Sequence, residues 1–222
     1  MIKLVKAGLL AVLLPLAATS FAATYEEGVH YDVVSDRATR KPEVKEFFSF
    51  YCPACNNMEP LLAEIKPKLD KNVKFKKSHV DFVGVRDPEH QTMISQALAT
   101  AEVLPQKDKI ISAMFDHIHA KRARFNELAD VKDVFLAQGV DGDKFDKLFE
   151  SFSVRTLSSK MKRDQDYFKG KGALRGVPTF IVNGKYKLNL GGESGISSPE
   201  DVSALINYLA NKQVVWLNKK AP

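Results

Sequence analysis

Two cysteines, Cys52 and Cys55, are three positions apart in the segment FSFYCPACNNMEP, and the 222 residues contain no others. Such a pair can form a structural disulfide, hold a metal ion or act as a reactive thiol pair. A disulfide across so short a loop stabilises a fold by about 2 kcal/mol, against about 5 kcal/mol for a long loop. A chain of this length can build an adequate core without it. A structural role therefore explains the pair poorly.

The histidines give little support for a metal site. Structural zinc takes four ligands, and a second Cys pair or a spaced His pair would complete the set. His117 and His119 are two positions apart in a predicted helix, so their side chains point in different directions. The other three are scattered along the chain: His30, His79 and His90. We interpret all five as ordinary surface or core residues and predict no metal and no organic cofactor, which favours redox chemistry.

The elements around the cysteines fit a reactive pair. The run Val44–Tyr51 is apolar and aromatic, which predicts a strand buried on both faces. The residues after Cys55 have helical periodicity, and Pro53 fits the first turn of that helix. Cys52 is thus predicted at a helix N-terminus, where unpaired N–H groups and the helix dipole stabilise a thiolate. We expect Cys52 to be the exposed thiol and Cys55, one turn on, to be buried and to resolve mixed disulfides.

A second segment, RGVPTFIVNGKYKL, predicts two strands joined by a turn at Asn183-Gly184. Pro178 precedes the first of these strands and has two interpretations. It can simply open the strand, where no ladder N–H is needed. Alternatively, a cis Val177–Pro178 bond would expose the backbone of Val177 for pairing with an extended substrate segment. The residues alone leave both interpretations open.

Glu46 shares a predicted strand face with Val44, Phe48 and Phe50, which is a costly place for a carboxylate. If the side chain is buried, its pKa rises, and it becomes a proton carrier for Cys55. If the strand end is solvated, Glu46 has no such role. The residues alone leave both alternatives open.

Residues 1–22 predict an export signal. An apolar run too short for a membrane span, Ala7–Ala18, is followed by small residues that fit a signal-peptidase site, so we predict cleavage after Ala22. No other segment approaches the roughly 18 apolar residues needed to cross a bilayer. Export leads to an oxidising compartment, where thiols are normally paired. The net charge is +6, and the basic residues are interspersed with acidic ones along the chain. This distribution argues against nucleic-acid binding.

Three segments, EFFSFYCPAC, KKSHVDFVG and GVPTFIVNGKYKL, resemble the DsbA family of periplasmic thiol oxidases, which have a thioredoxin fold. The resemblance runs from ATYEEGVHY to about Asn211. It implies that Cys52 is the nucleophile, Cys55 the buried partner, Val177–Pro178 the cis-proline loop and Glu46 the buried acid.

The resemblance also places Glu59 and Lys77 where the family has charged residues near the active site. Both can equally be plain surface charges. We keep them as candidate modulators of the site.

The family architecture accounts for the long interval between Asp81 and Gly172. Its periodicity predicts helices, broken at Pro88, Pro105, Asn126 and Gly139–Gly142. The predicted fold is therefore α/β, a thioredoxin fold with an inserted all-helical domain. We assign residues 23–81 and 166–222 to the thioredoxin-like domain and residues 82–165 to the insertion.

Two features depart from the family pattern. Pro53-Ala54 separates the cysteines where the best-known members have Pro-His, so a donor near the thiolate is missing. The tail Gln213–Pro222 extends beyond the usual last helix, either packing on the body or forming a partner site.

These observations predict an exported monomer whose Cys52–Cys55 disulfide oxidises unfolded exported proteins and is restored by a quinone-linked membrane partner like DsbB. Two alternatives stay open. One is a reductase or isomerase of the same fold, although after cleavage only about 20 residues, Ala23–Lys41, precede the first buried strand, too few for the dimerisation domain usual in isomerases. The other is a peptide-binding chaperone with a passive disulfide.

Overall fold

A computed structural model describes residues 24–218 of the chain, with side chains described through residue 212. Five strands form one sheet: β1 (Tyr31–Val33), β2 (Glu43–Phe48), β3 (Lys74–His79), β4 (Thr179–Val182) and β5 (Tyr186–Leu188). Their order is β1-β5-β4-β2-β3, with β2 and β3 parallel and the other neighbours antiparallel. The predicted signal peptide, residues 1–22 with cleavage after Ala22, lies outside the described residues.

Strand β2 is buried on both faces, as the sequence predicts, although three of its residues are charged: Glu43, Lys45 and Glu46. Val44 packs with Phe180 of β4 and with apolar residues of two helices on one face. Phe47 packs on the other face in a separate cluster with Ile181. Phe48, at the end of the strand, contacts a third cluster that belongs mainly to helices. The residues that follow β2 therefore lie where the three apolar clusters meet.

Among the described residues, seven α-helices accompany the sheet, with these bounds: α1 (Pro53–Ile65), α2 (Pro88–Glu102), α3 (Lys107–His119), α4 (Leu128–Ala137), α5 (Gly142–Phe149), α6 (Phe152–Gly170) and α7 (Pro199–Asn218). Helix α2 begins at the predicted break, where the side chain of Asp87 accepts the backbone N–H groups of Glu89 and His90. None of the helices within residues 24–218 has the length and apolar character of a bilayer-spanning segment. Helix α7 extends to Asn218, so the backbone of the tail is helical up to that residue, while the tail side chains lie outside the described residues.

Helices α2 to α5 and most of α6 form the predicted all-helical insertion between β3 and β4, which confirms the α/β fold class. The apolar core of the insertion is continuous with the active-site turn, because Phe48, Phe50 and both cysteines belong to the same cluster. The predicted boundary between residues 165 and 166 falls inside α6, which is continuous from Phe152 to Gly170. Met161 of this helix packs in the insertion, whereas Phe168 packs against the sheet. The helix therefore belongs to both parts of the molecule.

The predicted hairpin joins β4 to β5. Asn183 and Gly184 both have positive φ angles, 53° and 63°, and Lys185 N–H donates to Val182 O at 2.9 Å. This geometry is that of the tight turn that Asn-Gly favours. The side chain of Asn183 also accepts the N–H of Glu43 at 3.0 Å, which ties the turn to β2.

Candidate active site

Cys52 occupies the N-cap of α1, at the end of the turn that follows β2. Its backbone is extended, with φ −90° and ψ 115°, and Pro53 takes the first helical position. Its Sγ accepts the backbone N–H of Cys55 at 3.3 Å. A sulfur that caps the positive end of a helix is stabilised as the thiolate.

The turn before Cys52 is fixed by its own hydrogen bonds. The N–H of Cys52 donates to the carbonyl of Ser49 at 3.0 Å. The hydroxyl of Ser49 accepts the N–H of Tyr51 at 3.2 Å and donates to the carbonyl of Val83 at 3.3 Å. The position of the Cys52 sulfur is thus set by the turn and by the loop that leads into α2.

The two cysteines are free thiols and differ in burial as well as in position. Cys55 is fully buried, as predicted, but Cys52 is only 6% exposed, so the expectation of an exposed nucleophile is wrong in degree. One cause of this low exposure is Val177, whose carbonyl accepts a hydrogen bond from the Cys52 thiol at 3.5 Å. The Val177–Pro178 bond is cis, as the resemblance implies, and Pro178 directly precedes β4.

Burial raises the pKa of the Cys55 thiol, and the hydrogen bond to Cys52 adds to the rise. The negative charge of Glu46 raises the pKa of the Cys55 thiol further, so this carboxylate is within electrostatic reach of the thiol. Cys55 therefore keeps its proton until a base removes it.

Glu46 is completely buried, so the alternative of a solvated strand end is wrong. In the parallel pair of β2 and β3 it lies directly opposite Lys77. The Lys77 ammonium contacts Glu46 Oε2 at 2.5 Å and Glu59 Oε1 at 2.7 Å. The side chain of Lys77 is only 3% exposed and that of Glu59 24%, so the interpretation of Lys77 as a plain surface charge is also wrong.

Desolvation by burial raises the pKa of Glu46, and Lys77 opposes the rise only in part. For Lys77, burial acts to lower the pKa, but the charges of Glu46 and Glu59 outweigh it and raise the pKa. The second carboxylate oxygen of Glu46, Oε1, has no hydrogen-bond partner among the described residues. The cluster can therefore hold a proton on Glu46, within electrostatic reach of Cys55, while Lys77 stays charged.

Sequence reasoning missed two histidines at this site. His90 hydrogen-bonds to the hydroxyl of Tyr51, and His119 to the carbonyl of Phe50. Neither has a local sequence signal, because both contacts join residues far apart in the chain. In the part of the chain that the structure describes, no three His, Cys, Asp or Glu side chains are grouped so that they could hold a metal ion.

A Cys-Pro-Ala-Cys pair at a strand-to-helix junction, beside a cis-proline loop and within electrostatic reach of a buried carboxylate, defines a thiol:disulfide oxidoreductase of the thioredoxin fold. Comparison with known proteins gives the particular family. The model of the DSBA-like thioredoxin domain matches residues 43–205, and the chain belongs to this family.

Curated relatives and solved structures agree with this assignment. The thiol:disulfide interchange protein DsbA of Haemophilus influenzae is 36% identical over 178 residues, covering 78% of this chain and 82% of the relative. DsbA of Escherichia coli is also 36% identical, over 179 residues, covering 79% and 82%. The crystal structure of Pseudomonas aeruginosa DsbA, 27% identical, superposes with a TM-score of 0.71 over 87% of this chain and 97% of that one. A Proteus mirabilis DsbA variant, also 27% identical, gives 0.71 over 85% and 99%, and holds a non-covalently bound peptide.

Proposed function

We propose that the protein is a dithiol oxidase, which donates its Cys52–Cys55 disulfide to reduced, unfolded proteins exported to the periplasm. The observation that carries the proposal is the Cys52 sulfur at the N-terminus of α1, 3.3 Å from the N–H of Cys55. Stabilising the thiolate stabilises the reduced form of the pair, and a pair with a stable reduced form is a strong oxidant. This argues for oxidation over reduction as the net direction.

The proposed reaction moves two electrons from substrate to enzyme. A substrate thiolate attacks Cys52 Sγ, which forms a mixed disulfide and breaks the Cys52–Cys55 bond. The sulfur of Cys55 leaves with the bond electrons and takes a proton from Glu46. A second substrate thiolate attacks the substrate sulfur of the mixed disulfide, which releases Cys52 as a thiolate and leaves the substrate with a disulfide. Cys52 and Cys55 are then both reduced.

The position of Val177 supports a role in holding the substrate. Its carbonyl is 3.5 Å from the attacked sulfur, and the residue is partly exposed. An extended substrate segment can therefore pair with this backbone beside Cys52. Pro178 fixes the same loop, and Glu59 with Lys77 sets the charge around Glu46. The peptide seen on the Proteus mirabilis relative is consistent with such a surface.

The proposal places the protein in the periplasm as a monomer, after removal of residues 1–22. There, an inner-membrane, quinone-linked partner like DsbB would oxidise Cys52 and Cys55 again. The exchange needs only the two thiols and a proton carrier, so the proposal includes neither an organic cofactor nor a metal.

The test is to mix the oxidised protein with a reduced, unfolded protein that has two cysteines. We expect one substrate disulfide to form for each Cys52–Cys55 disulfide lost, measured by alkylation and mass spectrometry. A Cys55→Ser variant should trap the mixed disulfide on Cys52 when it is mixed with an activated substrate disulfide.

Two results would contradict the proposal. Binding of the unfolded protein with the Cys52–Cys55 disulfide intact would identify a chaperone with a passive disulfide. Faster rearrangement of a wrongly paired substrate by the reduced protein than oxidation by the oxidised protein would identify an isomerase.

A further inference from the structure

Two histidines of the helical insertion reach the turn that carries Cys52. His119 is the last residue of α3, and its Nε2–H donates to the carbonyl of Phe50 at 2.8 Å. His90, in the first turn of α2, is 2.6 Å from the hydroxyl of Tyr51. The two contacts thus fall on the two residues directly before the nucleophile. The two histidines lie on different helices, and both are far from the turn in the sequence.

Tyr51 is held closely on its other side as well. Gly84, in the loop before α2, has φ +101°, and a Cβ at that position would lie 2.7 Å from atoms of the Tyr51 side chain. Only glycine permits both the backbone angle and the close approach. Burial raises the pKa of Tyr51 to about 12 and lowers the pKa of His90, so the tyrosine hydroxyl donates to a neutral imidazole at neutral pH.

The position of this turn determines where the Cys52 sulfur lies. We propose that His119 and His90 are positioning residues for Cys52: through Phe50 and Tyr51 they hold the turn in the conformation in which Cys52 Sγ accepts the N–H of Cys55. That contact stabilises the thiolate and with it the reduced pair. The inference goes beyond the proposed function, because it concerns the exchange chemistry of the pair and depends neither on the substrate nor on the net direction.

Two variants remove these contacts and leave most of the packing in place. Because the backbone of Phe125 also hydrogen-bonds to the Tyr51 hydroxyl, His90→Ala is measured beside the tyrosine variant. His119→Ala removes the donor to Phe50, and Tyr51→Phe removes the hydroxyl that binds His90 but keeps the ring. A looser turn weakens the contact to the thiolate, so the reduced form loses stability. We expect the equilibrium with glutathione to shift towards the oxidised protein by roughly twofold to tenfold, the range that one net hydrogen bond spans.

His30→Ala is the matched control. His30 Nδ1 accepts the N–H of Glu26 at 2.9 Å and its ring packs edge-to-face on Tyr25, so it makes no contact with the turn. We expect this variant to leave the glutathione equilibrium unchanged. His119→Gln, whose amide can also donate to Phe50, should restore the wild-type equilibrium.

Thermal unfolding of each variant separates positioning from stability. A purely structural role would lower the unfolding temperature of His119→Ala and Tyr51→Phe without moving the equilibrium, and this would overturn the proposal. An equal shift in His30→Ala would overturn it too. An unchanged equilibrium in His119→Ala or in His90→Ala would overturn the claim for that histidine. Since glutathione is the exchange partner, failure here is distinct from failure to oxidise protein substrates.

Discussion

Replacing Glu46 with glutamine tests whether Cys55 depends on this carboxylate to lose its proton. When glutathione disulfide oxidises the reduced protein, Cys52 first forms a mixed disulfide with glutathione, and Cys55 then attacks the Cys52 sulfur. The attack requires the Cys55 thiolate, yet burial raises the pKa of that thiol. Each unit of such a rise reduces the thiolate tenfold, or about 1.4 kcal/mol. Glutamine keeps the size of the side chain and can still accept from Lys77, but it cannot take a proton.

The structure sets the expected size of the effect. General-base assistance speeds a step by roughly 10²–10⁴-fold. One oxygen of Glu46 is engaged by Lys77 at 2.5 Å, and only Oε1 lacks a partner among the described residues. Because Lys77 also opposes the rise in the pKa of Glu46, we expect a value at the lower end of that range, about a hundredfold slower attack by Cys55.

The assay is rapid mixing with glutathione disulfide, acid quenching and mass spectrometry of the glutathionylated protein between pH 5 and pH 8. In the wild type, the rate of resolution should rise with pH as Glu46 ionises, above the usual range for a glutamate. In Glu46→Gln that rise should be absent and the mixed disulfide should accumulate. Glu43→Gln is the control, since Glu43 is on the same strand, is largely buried and is paired with Lys76 at 2.5 Å. Equal rates for Glu46→Gln and wild type, or equal slowing in Glu43→Gln, would refute the reasoning.

Three further predictions concern the same site. Lys77→Met should lower the free energy of unfolding by about 3–5 kcal/mol, because it leaves Glu46 buried without its cation. Chemical denaturation at pH 7 measures this loss. The double variant that also carries Glu46→Gln should recover much of the lost stability. A raised folded-state pKa stabilises the fold below the unfolded-state value and loses that contribution as pH rises. As the pH rises from 4.5 to the raised pKa of Glu46, the wild type should therefore lose stability relative to Glu46→Gln. The loss should be about 1.4 kcal/mol for each unit by which the pKa is raised. A difference in unfolding free energy between the two proteins that does not change with pH would contradict this. Ala54→His should add a donor near Cys52 and shift the glutathione equilibrium about tenfold towards the reduced protein, or ~30 mV; an unchanged equilibrium would mean that residue 54 does not tune the pair.

Local sequence signals predicted the elements that build this site. Proline and glycine marked the breaks between the helices of the insertion, and Asn183-Gly184 marked the hairpin. The N-cap position of Cys52 followed from an apolar strand that ends just before Cys-Pro. These features depend on residues close together in the sequence, so the sequence alone is sufficient for them.

Contacts between distant segments could not be predicted in the same way. The alternation along β2 put Glu46 on an apolar face, but its burial also depends on Lys77, which the strand register places opposite it. The low exposure of Cys52 depends in part on Val177, which is 125 positions away. The hydrogen bond from His119 to Phe50 spans 69 positions. No local pattern encodes such distances, and only the packed fold brings these groups together.

Helix α6 limits how the molecule can be taken apart. A cut between residues 165 and 166 would sever a continuous helix and separate Met161, in the core of the insertion, from Phe168, which packs edge-to-face on Phe47 at 5.5 Å. Neither fragment would keep the whole helix, and fragment complementation would have to rebuild it across the break. Because Phe47 lies on the strand that leads to Cys52, α6 connects the core of the insertion with the strand at the base of the active site.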